Sequence, residues 1–281
     1  MLSLNKNQNL SANILPNWCP GCFNFQILAG FKKFLQSWKN ETAIVTGIGC
    51  HAKIFDYVNL NGINTLHGRV LPTCLGMKIG NPNLSVVGFS GDGDAYAEGM
   101  EHLIHAARYN SDFKYLVHNN QVFALTVGQP TPTTEIGFID KTTPQGVKLH
   151  PLNPIKIMLA SGASFVARVY ADANQIEWIL KEAVKHKGFA FIEILQPCLI
   201  FHPDKNYREH TYMLENVKHD KTNFKSAMEK AEEFDYNLVN EKTKIPLGIF
   251  YQKEKPVFED LFSQLRELKK KKMGWKDAKK L

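Results

Sequence analysis

In this chain of 281 residues, the types and spacing that suit chemistry belong to one glycine-flanked aspartate, one asparagine and a set of cysteines. Gly91-Asp92-Gly93-Asp94 follows an apolar run and precedes a helical pattern, so a phosphate at that helix N-terminus is favoured. The small neighbours let both backbone and carboxylate of Asp92 approach a ligand. Asn120 follows 28 residues later, and an intervening strand, helix and strand bring the two side by side. Carboxylate, amide oxygen and one backbone carbonyl are hard donors, suited to a Mg²⁺ that also holds a diphosphate. A helix-capping aspartate plus a turn asparagine is the plainer reading of the same pair. The segment is not GxGxxG, and no P-loop sequence occurs in the chain, so neither a Rossmann dinucleotide site nor a P-loop is supported.

The five cysteines are Cys19, Cys22, Cys50, Cys74 and Cys198. Cys19-Pro-Gly-Cys22 can turn two thiolates toward one metal or cluster, a spacing shared by zinc sites, redox dithiols and iron–sulfur ligands. A thioredoxin-like site needs a strand before the motif, and here an unpatterned polar leader precedes it. For a chain expected in the cytoplasm, a disulfide framework is not the reading.

The elements that must position these residues follow one repeated grammar. Apolar residues at helical spacing run from Phe23 to Trp38, and Ala43–Thr46 reads as a short buried strand ending at Gly47-Ile48-Gly49-Cys50. Leu84–Phe89 is a second strand. A helix over Tyr96–Tyr109 follows, with Met100, Leu103, Ile104 and Ala107 on one face, and then a strand over Lys114–Val117. Strand 165–169, helix 174–186 and strand 189–195 repeat the pattern. Alternation of this kind predicts an α/β fold, a mostly parallel sheet covered by helices on both faces. Ligands of such sheets bind beyond the carboxyl ends of strands, where Cys50, Asp92, Asn120 and Cys198 all fall. Residues 129–154, rich in Thr, Pro and Gly, read as a long functional loop. After Cys198 the pattern is irregular to about Glu241, and Lys244–Phe250 offers one more strand. The expected division is a ligand-binding domain over 1–200 and a C-terminal extension over 201–281.

Composition excludes other classes. With 44% apolar and 22% charged residues the chain is not intrinsically disordered. No uncharged apolar run reaches the roughly 18 to 20 residues that span a bilayer, and no secretory signal is visible, so the expectation is a cytoplasmic protein without a membrane partner. The net charge of +7 is concentrated at the end. Gln264–Leu281 holds eight basic residues (Arg266, Lys269 to Lys272, Lys276, Lys279, Lys280) against Glu267 and Asp277. The body is therefore near neutral, no nucleic-acid partner is expected, and the tail reads as a solvated basic extension.

Taken together, the motifs resemble a known family. Gly91-Asp92-Gly93-Asp94 with Asn119-Asn120-Gln121 is similar to the thiamine diphosphate signature. Trp18-Cys19-Pro20-Gly21-Cys22, Gly47-Ile48-Gly49-Cys50, His67-Gly68-Arg69 with Leu71-Pro72, and Leu125-Thr126-x-Gly128-Gln129 add to it. In that order, from about Asn17 to Cys198, they resemble the β subunit of 2-oxoacid:ferredoxin oxidoreductases, and Lys244–Gly248 is similar to its C-terminal part.

The resemblance implies a thiamine diphosphate-binding fold. It implies an enzyme that oxidatively decarboxylates a 2-oxoacid to acyl-coenzyme A and CO₂, passing electrons through a [4Fe–4S] cluster to ferredoxin. Asp92, Asn120 and the Val122 carbonyl would hold Mg²⁺. His67, Gly91, Gly93, Asp94 and the Gly49-Cys50 turn would surround the diphosphate. Cys19, Cys22, Cys50 and Cys198 would ligate the cluster, leaving Cys74 as a buried small hydrophobe. Lys53 and Leu125 would face the substrate's carboxylate and side chain, with 2-oxoglutarate or broad specificity slightly favoured. The catalytic glutamate of the family belongs to the partner, an α or fused γα subunit. This chain departs from the pattern at Phe23, where Gly is usual, and at Asn119, where Asp is commoner. A non-redox thiamine diphosphate decarboxylase subunit is the alternative, and a zinc-bearing nucleic-acid module a more distant one.

Overall fold

The computed structural model describes residues 9–203, 207–237 and 239–274. Lys276, Asp277, Lys279 and Lys280 of the basic tail lie outside the described residues. Elements follow in chain order as α1 (Asn24–Ser37), β1 (Thr42–Thr46), α2 (Ile54–Tyr57), β2 (Asn61–Asn64), α3 (Val70–Gly80) and β3 (Ser85–Gly91). Next come α4 (Met100–Tyr109), β4 (Lys114–Asn119), β5 (Val122–Phe123), β6 (Gln129–Pro130), α5 (Pro154–Ala160), β7 (Phe165–Tyr170), α6 (Ala173–Ala183) and β8 (Ala190–Leu195). The chain continues as β9 (Thr211–Met213), α7 (Phe224–Glu232), β10 (Ile245–Gln252), α8 (Phe258–Leu261) and α9 (Ser263–Lys270).

Eight strands form the main sheet in the order β2-β1-β3-β4-β8-β7-β10-β9. Every pairing is parallel except β10 with β7. The central strands β4, β7 and β8 are buried along their whole length because both faces are covered, as parallel sheets require. Alternate residues serve opposite faces: Leu116 packs with α1 and α6, while Tyr115 and Val117 pack with α3 and α4. Phe31 and Phe34 of α1 and Ile176, Ile179 and Leu180 of α6 fill the first face. Burial of side chains this size contributes roughly 1.5–3 kcal/mol each. The Asp172 carboxylate accepts the N–H groups of Asn174 and Gln175 and starts α6. The Asn153 amide oxygen accepts the Lys156 N–H and starts α5, with Pro154 in its first turn.

The expected α/β architecture is present, with two local differences. The helix expected from Tyr96 begins instead as a π-helical turn, Asp94–Glu98, and α4 starts after it at Met100. Within α4 the inward stripe runs through Leu103, Ala106 and Ala107, and Ile104 stands 42% exposed rather than on the buried face. In the stretch expected to be irregular, α7 and β9 are ordered. Of the α7 residues, only Ala227 and Ala231 are buried, a stripe too narrow to show as periodicity. Residues 129–154 are a loop apart from the short β5–β6 hairpin at its base. Among the described residues no helix is long and apolar enough to cross a membrane.

Candidate active site

Strand order places the site. Beyond β1 the chain turns outward to the β2 edge, then crosses back to β3 on the other side, so the crevice between the carboxyl ends of β1 and β3 is a topological switch point. Such crevices receive ligands in open α/β sheets. A cleft open to solvent lies there. Gly49 and Cys50 after β1, His67 before α3, and Gly91, Asp92, Gly93 and Asp94 after β3 all line it. Asn120 and Val122 join them from the end of β4, and Leu125 from the turn after β5. Lys53 is not among the lining residues: its ammonium donates to Asn17 Oδ1 at 3.0 Å.

The local conformations have physical causes. Gly49 sits at φ +144°, a region L side chains avoid, and starts the 3₁₀ turn Cys50–Lys53. A Cβ on Gly93 would stand 2.1 Å from the Phe123 ring, so this glycine admits an aromatic wall as well as backbone approach.

Asp92 is 2% exposed, and its Oδ2 accepts hydrogen bonds from Thr131 Oγ1 at 2.5 Å and Thr133 Oγ1 at 3.0 Å. Burial pushes its carboxyl up to about 6, although these hydroxyls and the Asn120 N–H oppose the shift. A cation beside Asp92 would remove that cost, and this carboxylate with oxygen donors nearby fits Mg²⁺. Asn120 Oδ1 accepts the Val122 N–H at 3.0 Å, the turn role its residue type allows, and retains a second lone pair.

Asp94 behaves oppositely. Burial raises its carboxyl, but His51 and the Gly68 N–H more than offset this and hold it below the usual range. Its Oδ1 accepts the Gly68 N–H at 2.7 Å and lies 3.6 Å from His67 Nδ1. Asp94 thereby ties the His67-Gly68-Arg69 turn to the glycine-rich segment. His51 Nε2 and Asp94 Oδ2 face each other at 3.5 Å, and neither has a hydrogen-bond partner.

Asn119 lies behind this wall. Its Nδ2 donates to Glu193 Oε1 at 2.8 Å, and its Oδ1 accepts from Thr133 Oγ1 at 2.9 Å. An aspartate here would set two carboxylates against each other, so the amide matches its partner. Glu193 is fully buried and paired with Arg168 at 2.8 Å, with the Tyr236 hydroxyl bonded to both.

The thiols of Cys22, Cys50 and Cys198 are half-buried and that of Cys19 is exposed. Burial pushes Cys22 up, with Cys198 and Cys19 adding, while the Asn24 amides oppose the shift. Burial and then Cys22 push Cys50 up to about 11, with Lys53 opposing. These sulfurs lie near enough to disfavour one another's ionisation. Among the described residues no three His, Cys, Asp or Glu side chains close on one point as ligands of a single ion would. A cubane spreads four thiolates over its corners instead, and an all-sulfur donor set suits it. Cys74 is fully buried in the core beside β3, away from this group.

The cleft also contains residues that sequence reasoning passed over, among them His51, His118, Phe123 and Gln196. His51 and His118 are neighbours of motif residues, and their type alone was the available signal. Burial drives the His118 imidazole well below its ordinary value, so the ring is neutral, with His51 adding and Gln196 opposing.

Comparison with known proteins agrees with this geometry. Residues 47–194 match the family model "Thiamine pyrophosphate enzyme, C-terminal TPP binding domain". Residues 202–267 match the model for the C-terminal part of the pyruvate ferredoxin oxidoreductase beta subunit. The chain is 38% identical over 254 residues to the 2-oxoacid:ferredoxin oxidoreductase subunit beta of Saccharolobus solfataricus, covering 85% of this chain and 82% of that one. It is 41% identical over 195 residues to the 2-oxoglutarate synthase subunit KorB of Archaeoglobus fulgidus, covering 67% and 72%. Its fold is similar to the 2-oxoglutarate:ferredoxin oxidoreductase from Magnetococcus marinus, solved with 2-oxoglutarate, coenzyme A and succinyl-CoA bound. That likeness has a TM-score of 0.84 at 30% identity and covers 93% of this chain and 90% of that one.

Proposed function

The chain belongs to the β subunits of 2-oxoacid:ferredoxin oxidoreductases, and we propose that it carries the thiamine diphosphate site of an enzyme that oxidatively decarboxylates a 2-oxoacid, with ferredoxin as electron acceptor. The observation that carries the reading is convergence. Gly49-Cys50, His67, Gly91–Asp94 and the pair Asn120 and Val122 come from four separate segments and meet in one cleft at the switch point.

When bound, thiamine diphosphate supplies the electron sink for loss of CO₂, Mg²⁺ neutralises its diphosphate, and a [4Fe–4S] cluster takes electrons singly. The residues of this chain hold and orient. Asp92, the Asn120 amide oxygen and the Val122 carbonyl would hold the metal, with Thr131 and Thr133 fixing the carboxylate. Asp94 clamps the turn that brings His67 to the diphosphate, and Gly49, Gly91 and Gly93 keep the walls close. Cys19, Cys22, Cys50 and Cys198 would hold the cluster on the same side of the sheet. Leu125, half exposed at the mouth, would meet the substrate's side chain. Lys53 would meet its carboxylate from the turn that carries Cys50.

In this reading residues 1–200 are the functional domain and residues 201–281 an extension that completes the sheet. An α or fused γα subunit supplies the missing glutamate, coenzyme A receives the acyl group, and the enzyme works in the cytoplasm.

The test is anaerobic co-purification with the partner subunit, then dye reduction with each oxoacid, with and without coenzyme A. Coenzyme A-dependent reduction by an iron- and sulfide-containing complex is expected. CO₂ release without dye reduction, from an iron-free complex, would instead make it a non-redox decarboxylase. In the same assay Lys53→Ala should raise KM for every oxoacid, and most for 2-oxoglutarate if the ammonium grips its second carboxylate. Unchanged KM values would place Lys53 outside the site.

A further inference from the structure

Between the cleft and the cysteines lies a buried polar side chain that the proposed roles leave unused. Asn24, at the start of α1, is 1% exposed. Its Oδ1 is 2.8 Å from His118 Nδ1, and its Nδ2 donates to Cys22 Sγ at 3.5 Å. Gln196 Nε2 approaches the same sulfur more weakly, at 3.9 Å. His118 and Gln196 both line the cleft. Because Asn24 turns its amide N–H to sulfur, its oxygen faces His118, and Nδ1 of that ring carries the proton. His118 Nε2 is then an acceptor, and it is buried without a hydrogen-bond partner.

Apolar residues would fill this space without the cost of burying polar groups. What the amide and imidazole add is a connected path of two hydrogen bonds from the cleft wall to a thiol. Hydrogen bonds to cluster sulfurs draw charge from them and raise the reduction potential. We propose that Asn24 and His118 bridge the cofactor cleft and the Cys22 sulfur, so that Asn24 sets the cluster's potential and His118 makes that potential respond to what occupies the cleft. The inference rests on the reading of the four cysteines as cluster ligands. Its consequence is reciprocal: if cofactor binding shifts the potential, reduction of the cluster shifts cofactor affinity by the same factor. Asn24 and His118 act through other groups, as positioning residues.

The experiment is a redox titration of the assembled complex, purified anaerobically and followed by the cluster's electron paramagnetic resonance signal, with and without thiamine diphosphate and Mg²⁺. Asn24→Ala should keep full iron content and make reduction about tenfold less favourable, a midpoint about 59 mV more negative for one electron. His118→Phe leaves Asn24 and every cysteine in place. It should keep the signal and abolish the midpoint shift that cofactor binding causes in the unsubstituted complex. An unchanged midpoint in Asn24→Ala, no cofactor-dependent shift without substitution, or a full shift surviving in His118→Phe would each overturn the bridge. An unsubstituted complex lacking iron and sulfide would overturn the cluster reading itself, which separates the two failures.

Discussion

The two ends of the sheet bury polar groups for different ends. At the carboxyl ends Asp92, Asp94, His51 and His118 are all buried, and Asp94 Oδ2, His51 Nε2 and His118 Nε2 lack hydrogen-bond partners. At the amino ends a larger connected network is engaged, although His186 Nδ1 has no hydrogen-bond partner. The Glu259 carboxylate accepts from the Ser111 hydroxyl and the Asp112 N–H. Asn110 joins Lys255, Pro256, Ser164 and Phe189, and Lys114 bonds Asp112 and two carbonyls. Connected hydrogen-bond networks of this kind hold a fold together. The amino-end network thus fastens the C-terminal segment, and the carboxyl-end groups line the cleft.

Substituting one buried carboxylate at each end sharpens the contrast most. Asp92→Asn should weaken thiamine diphosphate binding to the complex at least about 100-fold by calorimetry, since the charge proposed to hold Mg²⁺ is lost. In the cofactor-free chain the same change should raise the melting temperature at pH 7. The sign follows from its folded pKa of about 6, above the usual 3.8. Between those values the folded state binds more protons, so its stability falls as pH rises from 4 to 6, and Asn abolishes that loss. Equal cofactor affinity in the variant would sink the metal role.

Glu259→Ala should do the reverse. It should cost about 1–3 kcal/mol in denaturant unfolding by stranding the Ser111 hydroxyl and the Asp112 N–H, with cofactor affinity unchanged. A variant as stable as the parent would dissolve the distinction between the two ends.

The smallest effect concerns His186, whose Nε2 is 2.7 Å from Ser164 Oγ at the amino ends. Burial, with Lys114 adding, lowers its pKa to about 4 from 6.5. The unfolded chain then binds more protons between those values, so stability should fall as pH drops through that window. Melting curves of His186→Gln should show a shallower acid slope. An identical slope would mean that His186 titrates as it does in water.

Much of this was legible in the sequence, for identifiable reasons. Strands such as Ala43–Val45 and Val86–Phe89 are continuous apolar runs because both their faces are buried, and their ends mark where ligands go. The glycine-flanked Asp92 and the Asn120 after the next strand needed only the order of elements to meet. What stayed hidden depends on tertiary partners. Thr131 and Thr133 look like ordinary loop residues until the loop folds back on Asp92. Asn24 is a polar residue in a helical pattern until His118 and Cys22 flank it. Ile104 shares the apolar spacing of Leu103 and Ala107, yet the buried stripe of α4 runs through Leu103, Ala106 and Ala107 and leaves it half exposed.

The sheet ends in β2, whose Asn61–Asn64 are largely exposed, and in β9, with three residues. A growing sheet on another molecule needs a long, flat, apolar border to copy, and neither rim offers one. A subunit released from the ribosome before its partner therefore has little tendency to recruit its own copies strand by strand, and its waiting pool stays open to the correct assembly.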